Sequence, residues 1–552
     1  MRPRRWRTGR IAGPLSWGSC TYNRAGQTVA LTLLAAVLSA GAAFGQGHTL
    51  WQDGGVQLCG PSALDPVLAV SDSAGGAIVV WPDVRNGPLN YGIYAQRVDA
   101  AGVPQWAENG VLLCDSTLST AGYFAATGDG SGGAIAVWGP PGRPFAVQRV
   151  SADGVPLWGA NGLELRQPSD SLVAWPALVQ DGHGGAIVVW SAICFYSRAD
   201  TLIACRVDSS GGKLWETVVR MDTIDDQPFL CPDGLGGVII EWSEDLSGPV
   251  RVQRVDSAGD IKWDSAGVLA CTLSAPQGGR ACVSVGESLF VVGWFCGGGG
   301  AFQHRAQKFD LGGNRLWELA GAPISGVFNS TSSAVGLAAD DRRQSVWLWS
   351  ESRTGVTDLF AQKLDSVGTR RWDSAGVWLG TVNTSGGRFS ATIDGRGGAI
   401  VAWALHRSGL NWDIYAQHVD SGGRLCWSDT GLAVCLDTNR QQWTPAIVPD
   451  VDGGAISAWL SYQSGDACWV YAQRVADGAG VEETCSVEVR RADSGPTIVR
   501  SAAWKGLADR AVMFDAMGRR VTQAKPGVYF VVEEPQASSH KPQAVRKVVL
   551  VE

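Results

Sequence analysis

Three residue patterns in this 552-residue sequence are candidates for chemistry, and spacing tests each of them. Val419–Gly423 (V-D-S-G-G) has the form of a loop presenting a nucleophilic serine. It is, however, one copy of a D-x-x-G turn that recurs along the chain, so its role is structural. The six histidines (His48, His183, His304, His406, His418 and His540) show no H-x-x-x-H or other metal-ligand spacing, so no zinc site is expected. His418 replaces the Arg of a recurring Q-R-V strand, which reads as a strand-surface position. The many Asp-Gly turns lack side-chain oxygens at alternate positions, as a calcium loop requires. Glycine pairs sit between strands and never open a helix, so no nucleotide-phosphate loop is present.

Cysteines are the third pattern. The chain has thirteen, and Cys20 lies in the leader. Cys59, Cys114, Cys271 and Cys435 each fall four residues after an equivalent glycine. Equivalent points on neighbouring repeats stand too far apart to bridge, so these four read as small apolar fillers. Cys194 and Cys205 flank one hairpin and are the expected disulfide.

Binding candidates come from the longest and most varied loops: Pro82–Tyr91, Phe295–His304 and Ala404–Trp412. Variable loops on a rigid scaffold are where contacts are usually made. Arg85, Asn90, Tyr91, Arg353, His406, Arg407 and Trp412 are the candidate ligand contacts.

The elements that would position them follow from repetition. G-G-A-I-V-V-W and its variants end at Trp81, Trp138, Trp190, Trp242, Trp294, Trp349, Trp403 and Trp459, at intervals of 57, 52, 52, 52, 55, 54 and 56 residues. A strand of the form A-Q-R-V-D follows each, with the period-two alternation of one buried face. Then come a D-x-x-G turn and a second tryptophan: Trp106, Trp158, Trp215, Trp263, Trp317, Trp372 and Trp427. With a short apolar run before each G-G motif, the unit holds four strands, the content of a propeller blade. The eighth repeat ends at A-D-G-A-G-V without its second tryptophan, and Leu50–Cys59 (L-W-Q-D-G-G-V-Q-L-C) carries the missing piece. An N-terminal outer strand that completes the last blade closes the ring. The fold class is therefore all-β: an eight-bladed β-propeller closed by an N-terminal strand over 47–480, followed by a small Ig-like β-sandwich module over 481–552. The repeats absorb sixteen of the 25 tryptophans and most of the 72 glycines.

The ends look like addresses. Arginines at the start precede the apolar run Val29–Phe44 and small residues suited to cleavage, a secretory signal peptide over 1–45. The long basic region is consistent with a start downstream of Met1. No other run is long and apolar enough to cross a bilayer, so no transmembrane span remains after cleavage. Lys+Arg (45) against Asp+Glu (52) gives a net charge of -7, which argues against nucleic acid as a partner.

Two resemblances complete the reading. Phe514–Val521 (F-D-A-M-G-R-R-V), Lys525–Val532 (K-P-G-V-Y-F-V-V) and the terminal R-K-V-V-L-V-E resemble the C-terminal sorting domain of the type IX secretion system. They are also similar to the Ig-like module of flagellar hook-capping proteins. The matching positions are Asp515, Gly518, Arg519, Gly527, Tyr529 and Lys547; Ser494–Arg500 replaces the usual opening Asn-Pro strand. This resemblance implies an export machinery as partner. Ile93–Trp106 and Ala204–Trp215 resemble the tryptophan-docking motif of eight-bladed quinoprotein propellers, with a spacing that departs by one residue. The vicinal cysteines of the quinone dehydrogenases and the arginine triad of sialidase-like propellers are both missing. The expectation is a monomeric bacterial protein, secreted or on the outer cell surface, that acts as a binding or scaffold protein for an unknown protein or glycan. It is not expected to be an enzyme or to hold a cofactor. The alternatives are a secreted hydrolase or quinoprotein-like enzyme with its site in the propeller funnel, and a purely structural envelope protein.

Overall fold

The computed structural model describes residues 47–477, apart from short stretches between strands, and four strands of the tail, Thr497–Arg500, Ala511–Asp515, Gly527–Glu533 and Val545–Val551. The signal segment lies outside the described residues, which contain no helix. The chain divides between Gly480 and Val481 into two units, each described by itself.

The first unit is a ring of eight antiparallel sheets. Seven four-stranded blades span 68–118, 123–165, 172–222, 229–269, 277–323, 334–381 and 389–435. Blade 8 takes three strands from 441–477 and its outer edge from the N-terminus. Gly47–Thr49 pairs with Asp477 to Val475, and Val56–Cys59 pairs with Ala472 to Val470. The closing edge expected at Leu50–Cys59 is thus two short strands around a turn. The first strand of every blade lies against the first strand of the next, including blade 8 against blade 1, so the ring is closed.

Alternation builds the core. In Ala77–Asp83 every residue is buried, because both faces of a blade are covered. Ala77, Val79 and Trp81 pack with Ile456, Ala458 and Leu460 of blade 8, while Ile78 and Val80 pack with Ala134, Ala136 and Trp138 of blade 2. A period of two on a doubly covered strand reads as a continuous apolar run.

The two tryptophan positions have different work. The strand-two tryptophans sit at 2 % exposure or less, and Trp81, Trp242, Trp294, Trp349, Trp403 and Trp459 each cover a glycine of their own blade. A Cβ on Gly110, whose φ is +85°, would come within 2.8 Å of Trp81 Cη2. Except for Trp427, which covers Gly47 of the closing strand, the second tryptophan covers the D-x-x-G glycine of the next blade: a Cβ on Gly154 would come within 2.8 Å of Trp106 Cγ. Its indole N–H then donates to that blade's turn carbonyl, as Trp106 Nε1 does to Ala152 at 2.9 Å.

The tail forms one four-stranded sheet in the order Thr497–Arg500, Val545–Val551, Gly527–Glu533, Ala511–Asp515. The first pair is parallel and the others antiparallel. Thr497–Arg500 supplies a fourth strand beside the three apolar runs. The second layer of a sandwich is not present among the described residues. Asp515 pairs with Tyr529, Gly527 with Leu550, and Lys547 with Phe530; Gly518 and Arg519 lie outside the described residues.

Candidate functional site

The acidic turns are assigned first, because they are the most numerous polar groups. In blade 2, Asp129 Oδ1 accepts from the backbone N–H of Ser131 and Gly133 at 2.7 and 2.8 Å, and Oδ2 accepts from Arg149 Nε at 2.9 Å. Asp129 is 2 % exposed. Arg149 Nη1 continues to the Ser209 carbonyl of blade 3 at 3.0 Å. Blades 1, 3, 4 and 8 repeat the ion pair with Asp72–Arg97, Asp181–Arg206, Asp233–Arg254 and Asp450–Arg474. These carboxylates are occupied by the turn and the guanidinium, and they hold blades together.

His418 departs from the strand-surface expectation. It is 3 % exposed, with Nε2 3.0 Å from Asp394 and Nδ1 2.7 Å from Asp477. Burial opposes its charged form, but the two carboxylates outweigh burial and its pKa is pushed up to about 11. The position reads as surface from strand alternation, yet in blades 1, 2, 3, 4 and 8 its Arg is likewise drawn in by the turn aspartate, so it is an inter-blade position that His418 shares. Asp477 also accepts from Trp427 Nε1 at 2.9 Å. At the seam of blades 7 and 8 a carboxylate therefore takes the place of the turn carbonyl used elsewhere. Cys426 lies with His418 and Asp477 within metal-ligand distance, but both imidazole nitrogens are engaged by carboxylates.

The expected contact residues separate. Arg85 is structural: it pairs with Asp83 at 2.6 Å, donates to the Asn109 carbonyl at 2.9 Å and lies 3.8 Å from the Tyr94 ring centroid. Asp83 is fully buried; burial raises its pKa, and the Arg85 guanidinium and backbone N–H more than reverse this. Beside them Cys59 is a protonated thiol, pushed up to about 12 by burial and by Asp83. Tyr91 is half-buried at the edge of its strand. Asn90 and Arg353 lie outside the described residues. Cys194 does too, while Cys205 is a free buried thiol opposite Val188, in the slot filled by Gln in other blades.

His406 and Trp412 do converge. They pair across a hairpin that also joins Arg407 to Asn411, with ring centroids 4.9 Å apart. Trp412 meets Trp443 edge-on at 6.5 Å, and Trp443 stacks on Tyr462 at 5.9 Å. Nearby, Arg440 lies 4.1 Å from the Trp469 ring centroid and donates to the Tyr471 hydroxyl at 2.8 Å. This array joins the strand-two-to-three hairpins of blades 7 and 8 to the blade 7–8 connection. Trp443 is 43 % exposed. A bulge between Trp443 and Ala446 turns it outward, and Thr444 is held at φ +47°. A β-branched residue there is strained by about 1–3 kcal/mol. Gln442 Oε1 and Thr444 Oγ1, on either side of Trp443, are buried without a hydrogen-bond partner. A cavity of about 610 Å³ adjoins the array between blades 7 and 8, lined by residues including Asp437, Trp459 and Tyr471.

Sequence reasoning reached His406 and Trp412 but passed over Trp443, Tyr462 and Trp469. The signal was available: Trp412, Trp443 and Trp469 are among the tryptophans that the repeat leaves over.

No protein-family model matches the chain, and no curated protein matches it. Among solved structures, a polysaccharide lyase of family PL25, an ulvan lyase, is 12 % identical with a TM-score of 0.43, covering 67 % of this chain and 96 % of its own. The BP39L lectin from Burkholderia pseudomallei is 14 % identical with a TM-score of 0.43, covering 68 % and 100 %. A protein of unknown function from Dyadobacter fermentans is 10 % identical with a TM-score of 0.33, covering 57 % and 97 %.

Proposed function

We propose that this protein is an exported bacterial β-propeller, secreted or displayed on the outer surface, that binds a saccharide through the aromatic array of blades 7 and 8. The carrying observation is the array itself: tryptophans that the repeat does not need meet in space, and one is turned into solvent by a strained bulge. Sugar rings present apolar C–H faces to aromatic rings, and the exposed Trp443 ring with Tyr462 stacked on it offers such a face. Backbone strain such as that at Thr444 gathers where a ligand completes the site.

A binding role is favoured over catalysis by the innermost strands. From Leu68–Ser71 round to Gln441–Pro449 they contain no Asp, Glu, His or Lys, so they supply no carboxylate pair for acid–base work at the axis. The signal segment and the sorting-like tail support export, with the secretion machinery as partner.

The test is a glycan array probed with the full chain, followed by titration using tryptophan fluorescence. Trp443→Ala is expected to weaken the retained glycan at least tenfold, about 1.4 kcal/mol. Trp378→Ala, equally exposed on blade 6, should leave affinity unchanged. Retention of no glycan, equal loss in both variants, or appearance of new reducing ends would overturn the reading. Export is tested separately by fractionation and mass spectrometry of the termini: a mature start near Gln46 and loss of the tail support it, and a full-length cytoplasmic chain overturns it.

A further inference from the structure

Successive residues of a doubly covered strand point to opposite neighbours. In blade 1, Val70 faces blade 2 and Ala69 packs toward blade 8. Val70 lies two residues before the turn aspartate, Asp72, and Ala69 three before it. Blade 4 has Cys231 two residues before Asp233. Blade 5 has Val285 in the aspartate place, closing the same turn by donating to the Leu289 carbonyl at 2.9 Å, and Cys282 three residues before it. The register therefore aims Cys231 at blade 5 and Cys282 at blade 4.

They meet. The Sγ atoms are 2.6 Å apart, and the thiols are 3 % and 9 % exposed. Ser284 Oγ donates to the Pro232 carbonyl at 2.5 Å and fixes the same two strands beside them. On the outer strands equivalent points of neighbouring blades diverge, which is why Cys59, Cys114, Cys271 and Cys435 stay apart as fillers. On the innermost strands the blades converge on the axis.

We propose that Cys231 and Cys282 are joined by a disulfide that staples the innermost strands of blades 4 and 5. Two thiols give one S–S bond, two protons and two electrons. The electrons pass to a low-molecular-weight disulfide: one cysteine thiolate attacks it and releases a thiol, and the second cysteine displaces the other half as a second thiol. Burial and the neighbouring Cys231 disfavour the Cys282 thiolate in the closed ring, so the exchange occurs while the blades are still open and the finished bond is then shielded. The seam also has a use for a staple. Arg97, Arg149 and Arg206 each reach a turn carbonyl of the following blade, whereas the described residues hold no such bond from Arg254 to blade 5.

The experiment refolds the full chain in reduced and oxidised glutathione, blocks free thiols in denaturant, and maps peptides without reduction. Trypsin places Cys231 on 221–251 but leaves Cys282 and Cys296 together on 281–305, so chymotrypsin is added to separate them. The expected result is a linked pair two hydrogens lighter than the separate peptides, with Cys59, Cys114, Cys271 and Cys435 labelled. Alkyl label on both Cys231 and Cys282, or either one linked elsewhere, overturns the proposal. A Cys282→Ser variant is expected to melt on the order of 3–5 °C lower than the oxidised protein and to match the reduced one. The outcome does not depend on glycan binding or on export.

Discussion

Blade 8 holds two tryptophans sixteen residues apart with opposite fates. Trp459 stands at a repeat position, is fully buried, and covers Gly55, whose Cβ would come within 2.7 Å of Trp459 Cη2. Trp443 stands outside the repeat and is 43 % exposed on a strained bulge. The same side chain is architecture at one position and surface at the other. Position outside the repeat does not by itself mean exposure, since Trp347 also lies outside it and is fully buried; the bulge is what sets Trp443 apart.

The comparison is broken most forcefully at the repeat position. Trp459→Ala is expected to cost about 3–5 kcal/mol in denaturant unfolding, through lost burial and the cavity left behind. A cost below about 1 kcal/mol would mean that the strand-two tryptophans do not carry the seams. Asp129→Ala leaves the half-buried Arg149 without its carboxylate and two turn N–H groups unpaired; about 2–3 kcal/mol is expected. Asp153→Ala, an exposed acid near the same turn, should stay within about 0.5 kcal/mol. Trp443→Ala is likewise expected within about 0.5 kcal/mol of wild type, or slightly above it once the bulge relaxes. A large loss of stability there would return Trp443 to the architectural class.

The blade 7–8 seam adds a pH dependence that the Arg-bridged seams lack. The His418 pKa is raised on folding, from about 6.5 to about 11, so its contribution is complete below about pH 6.5 and fades as pH rises toward 11. Asp394 and Asp477 are lowered, chiefly by His418 acting against burial, so their contribution is lost as pH falls below the ordinary carboxylate range. The stability deficit of His418→Gln should therefore be largest between about pH 4 and 6.5 and shrink steadily up to pH 11. Unfolding midpoints measured across that range check this; a deficit that is flat from pH 5 to 10 would remove His418 as a cationic link.

Much of the ring was readable in advance because each blade is a local structure repeated. Tryptophan intervals, G-G turns and the missing eighth outer strand come from short-range pattern, and they lead to closure by Gly47–Thr49 and Val56–Cys59. Contacts between blades were not readable in the same way. Arg149 and Ser209 are sixty residues apart, and Arg149 looks like an ordinary strand-surface residue until its guanidinium meets the Ser209 carbonyl of blade 3. The disulfide expectation chose Cys194 and Cys205 by hairpin proximity, and Cys194 lies outside the described residues; Cys231 and Cys282, fifty-one residues apart, offer no such local cue.

Sequence alone determined the strand alternation, the turn glycines, the repeat number and the order of the blades, because these follow from steric rules acting over a few residues. Tertiary structure decided which side chains from different blades touch: Trp412 with Trp443, His418 with Asp477, Cys231 with Cys282. Those meetings depend on ring closure, which fixes how far neighbouring blades stand apart at each radius. Close to the axis two cysteines can reach each other; at the outer strands equivalent ones cannot.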